Sequence, residues 1–240
     1  MNPLVAHRGC SGKAPENTMA AFNLALNEAS IGWIELDVQL SKDGVPVVIH
    51  DYKLNRTTNG KGNVKDFTYS QLSELDAGEW FNKRFKGEKI PGLEEVLHAA
   101  CGRCRLNIEI KTAGDLYPGI EQKVIQLIHD YHMQYDCYIT SFDYEVLKKV
   151  RETDSIVQTG LILSGNPPLL KEHLKNLGVA LLAMDYKYLT HRFVAAMINE
   201  GYKMMAWTVN GPSEMIRIAG MHPELMICTD HPERFIELSK

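Results

Sequence analysis

The 240-residue sequence predicts an α/β fold: a TIM (β/α)8 barrel with a β-hairpin after strand 2 and a small inserted subdomain. Short apolar runs alternate with amphipathic segments along nearly the whole chain, which is typical of βα units around a parallel sheet. Two of these runs are joined by a connection too short for a parallel crossover. One long polar segment interrupts the alternation. These observations indicate the barrel, the hairpin and the insertion respectively.

Nine apolar runs are candidate strands, and amphipathic stretches lie between most of them. The candidate strands are LVAHRG (4–9), WIELDVQL (33–40), VPVVIHD (45–51), RLNIEIK (105–111), CYITSF (137–142), VQTGLIL (157–163), ALLAMDY (180–186), KMMAWTVN (203–210) and LMICTD (225–230). The candidate helices cover residues 18–29, 93–100, 120–132, 144–152, 168–178, 191–201 and 212–221. Asn17 is placed to cap the first helix, and Pro212 or Ser213 to start the last.

The hairpin is predicted from the short connection between the second and third candidate strands. Asp43 and Gly44 favour a tight turn there, so these two strands should run antiparallel. Roughly eight parallel strands then remain, which is the number in a TIM barrel. A turn centred on Asp43 and Gly44 sets Asp37 almost opposite His50.

The long polar segment is predicted to be a subdomain inserted at about 52–92 into a single domain of residues 1–240. A structureless loop of that length is uncommon inside a barrel, so the segment is expected to fold over the barrel mouth. Its aromatic side chains form either an apolar rim at the mouth or the insertion's own core, and the second interpretation is favoured. These residues are Phe67, Tyr69, Trp80, Phe81 and Phe85.

Charge, hydropathy and cysteine content disfavour several classes of protein. The formal net charge is -4 with no basic block, which disfavours a nucleic-acid partner. The first residues lack the pattern of a leader peptide and no apolar run has the length of a membrane span, so a cytoplasmic protein without a stable membrane anchor is expected. Cys101 and Cys104 form a C-x-x-C, but a metal knuckle needs a second ligand pair and only His98 lies near. A reduced pair at a helix end is the favoured interpretation.

Ionisable residues concentrate at the carboxyl ends of the predicted strands, where a TIM barrel carries its active site. Glu35 and Asp37 are two apart on one strand and point to one face, and Glu109 and Lys111 repeat that spacing. Three buried carboxylates from two strands suit a hard divalent cation, Mg²⁺ or Ca²⁺. The alternative is salt bridging, with Lys111 and Arg8 neutralising the acids.

Two histidines accompany these acids. His7 and His50 lie on different strands, and they either divide the work of general acid and general base or are structural groups. Arg8 and Lys111 would hold an anionic group under attack. Trp207 is either core or a wall of the pocket. Further polar residues at strand ends, not assigned beyond pocket lining, are Ser141 and Asn210.

Six short motifs, in order and spacing over nearly the whole chain, resemble the glycerophosphodiester phosphodiesterase family. They are HRG (7–9), PENT (15–18), ELDV (35–38), HD (50–51), EIK (109–111) and WTVN (207–210). Within and just after the insertion, LNRTTNGKGNV, LDAGEWF and IPGLEEVL are similar to that family as well. The chain departs from its pattern at Gly92, where Thr is common, and at His231, a variable position.

The resemblance implies a TIM barrel that hydrolyses glycerophosphodiesters to sn-glycerol 3-phosphate and an alcohol. Its implied metal ligands are Glu35, Asp37 and Glu109, its acid–base pair is His7 and His50, and its substrate contacts are Arg8, Lys111 and Trp207. Glu16 matches a position that supports the first strand–helix turn. The expected cofactor is one divalent cation, and the expected partner is a small-molecule glycerophosphodiester.

Two other functions compete with this one. A lysophospholipase D or phospholipase C-like enzyme on the same barrel would use an apolar rim near the mouth. A non-catalytic phosphate-binding protein would lack a histidine or a metal carboxylate, and none is missing here. The sequence leaves open the alcohol, the choice of Mg²⁺ or Ca²⁺, which histidine is the base, and whether water or the glycerol 2-hydroxyl attacks. It also leaves open the oligomeric state, for which the insertion is a candidate contact surface.

Overall fold

The structure is a computed structural model that describes residues 2–112 and 114–238. Eight parallel strands pair in the order β1-β9-β8-β7-β6-β5-β4-β2, and β1 also pairs with β2, which closes the barrel. The strands are β1 (Leu4–His7), β2 (Trp33–Leu40), β3 (Pro46–Val48), β4 (Arg105–Ile110), β5 (Cys137–Ser141), β6 (Gln158–Leu163), β7 (Leu181–Asp185), β8 (Lys203–Trp207) and β9 (Met226–Thr229). Only β3 among them is antiparallel to its neighbour. The predicted TIM barrel is confirmed.

Helices lie between the parallel strands. They are α1 (Met19–Leu26), α2 (Tyr69–Glu74), α3 (Leu93–Ala100), α4 (Ile120–Asp130), α5 (Tyr144–Thr153), α6 (Leu170–Leu177), α7 (His191–Asn199), α8 (Pro212–Ala219) and α9 (Pro232–Leu238). All seven predicted helices are present, but the sequence missed the short helices α2 and α9. Helix α8 does begin at Pro212, yet α9 follows it and is the last described helix. None of the described helices is long and apolar enough to cross a membrane.

The cap of α1 differs from the prediction. Thr18, rather than Asn17, is the N-cap, and its hydroxyl accepts a hydrogen bond from the Ala21 amide. Asn17 has a left-handed backbone conformation, with φ of 56°, and its Nδ2 donates to Asp37 Oδ2 at 2.8 Å. The residue that the sequence assigned to a helix end therefore supports a side chain of the site.

The alternating side chains of the strands form an apolar core outside the barrel and, inside it, a polar layer above a second apolar cluster. On β2, Ile34, Leu36 and Val38 point outward into the main core, beneath the helices. Glu35 and Asp37 alternate with them, so they point into the barrel. The barrel interior is closed below by a smaller apolar cluster, formed by Val5, Ile162, Leu181, Ala183, Met205, Met226 and Cys228. The polar side chains of the barrel therefore rest on an apolar floor.

The hairpin forms one residue out of the predicted register. Val38 pairs with Val48, and the Ile49 amide donates to the Asp37 carbonyl at 3.0 Å. Ile49 is therefore opposite Asp37, and His50 follows the end of the ladder. The loop of residues 41–45 accounts for the shift, because it is longer than a two-residue turn and is closed by the Val45 amide donating to Ser41 Oγ.

The segment between β3 and α3 has a small core of its own. Phe67 and Tyr69 pack against this core, as the favoured interpretation predicted. Trp80, Phe81 and Phe85 instead form a separate aromatic cluster with edge-to-face contacts, in which the Trp80 side chain is exposed. The buried core residues are Val47, Ile49, Leu54, Val64, Leu72, Ala77 and Ile90. The division into one domain with a subdomain at about 52–92 stays a prediction.

Candidate active site

Three carboxylates meet inside the barrel. Glu35 and Asp37 come from β2 and Glu109 from β4, and the register of the two strands sets Asp37 beside Glu109. One oxygen of each carboxylate lies within 4.8 Å of the other two, and all three residues are buried. Burial and mutual repulsion raise the pKa of Glu35 well above its usual value and that of Glu109 to about 7. We call Glu35, Asp37 and Glu109 the acidic cluster.

Two cations contact the acidic cluster, as the salt-bridge alternative expects. Lys111 Nζ lies 2.8 Å from Glu109 Oε1 and 3.8 Å from Asp37 Oδ1. Arg8 Nε lies 3.1 Å from Asp37 Oδ2, and the Arg8 amide donates to Glu35 Oε2 at 3.0 Å. Burial opposes the charge on Asp37, but Arg8 and other positive neighbours hold the pKa of Asp37 below its usual value.

The salt bridges leave room for a cation in the acidic cluster. The acidic cluster has three carboxylates, but only two positive side chains of the described residues are in contact with it. In addition, Asp37 Oδ1 is buried without a hydrogen-bond partner. A buried carboxylate oxygen without a donor is costly unless a positive charge satisfies it. The all-oxygen donor set fits a hard divalent cation. Among the described residues, the acidic cluster is the one group of at least three His, Cys, Asp or Glu side chains close enough together to hold a metal ion. Cys101 and Cys104 do not belong to it.

His7 lies at the end of β1 and is oriented by a carboxylate. Its Nδ1 is 2.6 Å from Asp230 Oδ1, and its Nε2 lies 3.8 Å from Glu35 Oε2. Asp230 is held in turn by Asn210 Nδ2, at 2.6 Å, and by Ser11 Oγ, at 3.0 Å. Although burial opposes its charge, these hydrogen bonds and His7 lower the pKa of Asp230. The Nδ1 atom is thus committed to Asp230, and Nε2 faces the acidic cluster.

His50 follows β3 and is oriented in the same way. Its Nδ1 is 2.7 Å from Asp51 Oδ1, and its Nε2 is 3.2 Å from Lys111 Nζ. An ammonium group only donates, so Nε2 accepts and the ring proton sits on Nδ1, where it is donated to Asp51. Burial, with the positive charges of Arg8 and Lys111, lowers the pKa of His50 despite the opposing effect of Asp37. A neutral imidazole therefore presents the lone pair of Nε2 to the site.

A cavity of about 130 Å³ brings these groups together. Both histidines, Arg8 and Lys111 line it, with Ile162 and other apolar residues of the barrel interior as its floor. Trp207 also lines it; its indole Nε1 is buried without a hydrogen-bond partner, and its ring packs edge to face on Phe142. A larger groove, of about 730 Å³, lies outside the barrel between α3 and α4 and contains none of the predicted site residues.

Residues 7–234 match the glycerophosphoryl diester phosphodiesterase family. The chain belongs to this family. The prediction of an enzyme of this family, a phosphoric diester hydrolase, is confirmed with it.

Individual members of the family are similar to the chain over their full length. A glycerophosphodiester phosphodiesterase of Caldanaerobacter subterraneus subsp. tengcongensis is 40% identical over 238 residues, which cover 98% of this chain and 96% of the relative. The structure of an Oleispira antarctica phosphodiesterase in complex with the product sn-glycerol-3-phosphate has a TM-score of 0.92 at 30% identity, covering 99% of this chain and 96% of that one. A glycerophosphodiester phosphodiesterase from Agrobacterium tumefaciens has a TM-score of 0.85 at 31% identity, covering 99% and 100%.

Sequence reasoning missed several polar residues of this family member's site. Asn210 and Ser141 were assigned only to pocket lining, but neither lines the cavity: Asn210 holds Asp230, and Ser141 Oγ donates to the Ile110 carbonyl. Glu16 does more than support a turn, because it accepts a hydrogen bond from Arg8 Nη1 at 2.8 Å. Arg56 was not singled out at all. The available signal was its position in the family-like motif LNRTTNGKGNV, five residues after Asp51.

Proposed function

We propose that the protein hydrolyses glycerophosphodiesters to sn-glycerol 3-phosphate and an alcohol, with His50 as the general base and His7 as the general acid. One observation carries the proposal: two histidines, each bonded through Nδ1 to a carboxylate, line one cavity together with Glu35 and Glu109 of the buried acidic cluster. The product bound by the Oleispira antarctica phosphodiesterase is sn-glycerol-3-phosphate, which supports the same substrate class here.

The acidic cluster would hold one divalent cation, Mg²⁺ or Ca²⁺, through the carboxylate oxygens of Glu35, Asp37 and Glu109. When bound, the cation supplies positive charge that offsets the negative charge developing on the phosphoryl oxygens. The unpartnered Asp37 Oδ1 supports this assignment, and so does the pKa of Glu109, which burial and then the negative charge of Asp37 raise.

Arg8 and Lys111 are proposed to bind the phosphodiester. Both positive side chains line the cavity, between the two histidines and the acidic cluster. A phosphodiester carries one negative charge that repels a nucleophile, so fixed positive groups favour the transition state over the ground state. Trp207 lines the same cavity with an unpartnered Nε1–H, which can donate to a substrate oxygen.

The two histidines are assigned by their hydrogen bonds. When Lys111 turns from His50 Nε2 to the bound phosphodiester, the freed lone pair of Nε2 accepts the proton of the attacking hydroxyl, and Asp51 stabilises the imidazolium that results. His7 Nδ1 is bonded to Asp230, and its Nε2 lies 3.8 Å from Glu35 Oε2 on the side of the acidic cluster, which suits the second role, that of general acid. His7 can therefore donate its Nε2 proton to the leaving alkoxide. Water and the glycerol 2-hydroxyl are the two candidate nucleophiles, and His50 serves either in the same way.

The first test is the release of glycerol 3-phosphate from glycerophosphocholine. We expect activity in the isolated protein, loss after EDTA treatment, recovery with Mg²⁺ or Ca²⁺, and a loss of about 10³-fold in kcat for His50→Ala. Activity that survives complete metal removal would contradict the role of the acidic cluster. Absence of activity on glycerophosphocholine together with cleavage of lysophosphatidylcholine would instead favour a lysophospholipase D or phospholipase C-like enzyme.

A further inference from the structure

Arg56 forms hydrogen bonds with two carboxylates at once. Its Nε and Nη2 donate to the two oxygens of Asp51 at 2.8 and 2.9 Å. Its Nη1 and Nη2 donate to the two oxygens of Glu16 at 2.7 and 2.8 Å. Two bidentate pairs from one guanidinium fix both its position and its plane. The hydrogen bond from Arg56 is the main cause that lowers the pKa of Asp51, so that carboxylate stays ionised.

Each of these carboxylates holds one residue of the proposed catalytic machinery. Asp51 accepts from His50 Nδ1 at 2.7 Å, and Glu16 accepts from Arg8 Nη1 at 2.8 Å. Arg56 therefore lies one hydrogen bond beyond both the base and the phosphate-binding guanidinium. No other described side chain is linked to both of them through carboxylates in this way.

The backbone next to Arg56 is fixed by the core of the insertion. Leu54 is fully buried in that core, and its amide donates to the Gly62 carbonyl at 3.0 Å. Thr58 is also buried, and its hydroxyl donates to the Leu54 carbonyl at 2.7 Å. These bonds hold the chain on both sides of Arg56, although the Arg56 side chain itself is 44% exposed. Because the backbone of Arg56 is fixed, its guanidinium can hold the residues that it contacts in fixed positions.

The barrel holds the backbone of His50 and one side of its ring, because Lys111 Nζ, directly after β4, lies 3.2 Å from His50 Nε2. Gln39 Nε2 donates to the carbonyls of Ile49, His50 and Asp51 at 2.9 to 3.0 Å, and Gln39 is itself held by Tyr117. The other side of the ring, Nδ1, is held by the Asp51 carboxylate at 2.7 Å. Among the described side chains, that carboxylate accepts from His50 and from Arg56.

We propose that Arg56 is a positioning residue of the inserted segment, which orients His50 through Asp51 and Arg8 through Glu16. The insertion is then a working part of the site, because it supplies a side chain that ties the proposed base to the proposed phosphate-binding group through one carboxylate on each side. This inference rests on the proposed function of His50 and Arg8, and it adds a residue to which that proposal gives no role.

The test compares Arg56→Gln and Arg56→Lys with the wild type on glycerophosphocholine. We expect Arg56→Gln to lower kcat roughly 10- to 100-fold and to raise KM a few-fold, since a misplaced general base loses much of its contribution of about 10²–10⁴. Arg56→Lys keeps the charge but cannot form two bidentate pairs, so its kcat should stay within about threefold of that of Arg56→Gln. Full rescue by Lys would overturn the positioning role.

Arg84→Gln is the matched control. Arg84 also belongs to the insertion and also ties it to the β1–α1 segment, by donating to the Lys13 carbonyl at 3.0 Å, but it does not contact the Arg56 network. We expect its kcat to stay within about twofold of the wild type. An equal loss in Arg84→Gln would mean that any tether of the insertion matters, and the specific role of Arg56 would be lost.

A second measurement does not depend on turnover. In ¹⁵N-histidine NMR spectra of the protein without substrate, the Nδ1–H signal of His50 should shift or broaden in Arg56→Gln, whereas that of His7 should stay unchanged. An unchanged His50 signal together with a kcat within twofold of the wild type would reject the proposal. An inactive wild type would reject the proposed function, and the NMR comparison would still decide the role of Arg56.

Discussion

The two His–Asp pairs have the same local geometry but different structural origins. His7 and Asp230 come from β1 and the end of β9, two strands that are hydrogen-bonded neighbours in the barrel. Their carboxylate is held by the neutral donors Asn210 and Ser11. His50 and Asp51 follow the three-residue strand β3, and their carboxylate is held by a cation of the insertion. The first histidine of the proposed acid–base pair is thus held within the sheet, whereas the second follows β3 and needs the insertion to hold its carboxylate; we call the two the sheet-built pair and the insertion-built pair.

This difference has a consequence for stability. The sheet-built pair joins two strands that are hydrogen-bonded neighbours, so we expect its geometry to persist as long as the barrel does. The backbone of the insertion-built pair is tied to β2 through Gln39, but its carboxylate is held by Arg56, and we expect the segment of Arg56 to open locally at a lower free energy than unfolding of the whole barrel. Changes in the insertion should therefore alter the chemistry before they alter the fold.

The largest expected difference between His7 and His50 concerns the leaving group of the substrate. On glycerophosphocholine, His7→Ala and His50→Ala should each lose about 10³-fold in kcat, because each removes one proton transfer. With glycerophospho-p-nitrophenol, the leaving phenolate needs no proton. The kcat of His7→Ala, as a fraction of the wild-type kcat, should therefore be at least tenfold higher on this substrate than on glycerophosphocholine, whereas the fraction for His50→Ala should not change. Initial rates on the two substrates measure this. Recovery of His50→Ala instead would reverse the assignment of acid and base.

The acidic cluster belongs wholly to the sheet, so a change there should appear in global stability. The pKa of Glu109 is about 7 in the folded protein against 4.5 for an ordinary glutamate. A carboxyl with a raised pKa contributes stability below pH 4.5 that is lost as the pH rises to about 7, because the folded state binds the proton more tightly. In metal-free protein, Glu109→Gln should remove this loss and raise the free energy of unfolding above pH 7 by up to about 3 kcal/mol.

Urea unfolding of the metal-free protein at pH 5 and pH 8 measures this effect. The difference in unfolding free energy between Glu109→Gln and wild type should grow with pH over that interval. The same variant should show weaker stabilisation by added Mg²⁺ or Ca²⁺ than the wild type, because a cation that binds the folded state stabilises it. A variant that is less stable than wild type at both pH values would show that the salt bridges of Glu109 outweigh the repulsion.

The sequence predicted the sheet-built half of the site better than the insertion-built half. Strand periodicity places Glu35 and Asp37 on one face, and the barrel rule brings Glu109 beside them, so local pattern and topology suffice. The register of the hairpin was wrong by one residue, because the loop of residues 41–45 is longer than the turn assumed from Asp43 and Gly44.

The contacts of the insertion could not be read from the sequence. Arg56 meets Glu16 across 40 positions of the chain, in a segment where no periodicity fixes which side chains face the barrel. The helix α2 is only six residues long, and α9 only seven, too short for a clear apolar repeat. The residue type of Asn17 predicts a helix cap, but its side-chain amide donates to the buried Asp37 instead, and Thr18 is the N-cap.

The smallest predicted effect separates the two aspartates by the pH dependence of kcat/KM. The base must be neutral, so kcat/KM falls as the pH drops through the pKa of His50, which lies below its usual value. The hydrogen bond to Asp51 opposes that lowering, because a carboxylate favours the protonated imidazole. Asp51→Asn should therefore shift the fall of kcat/KM at low pH, its acid limb, to lower pH by roughly half a unit, besides lowering kcat about tenfold.

Asp230→Asn should lower kcat to a similar extent but leave the acid limb where it is, because Asp230 contacts His7 and not the proposed base. An acid limb that moves equally in both variants would mean that the two pairs titrate as one unit, and that the separate origins of the pairs have no separate effect on the chemistry.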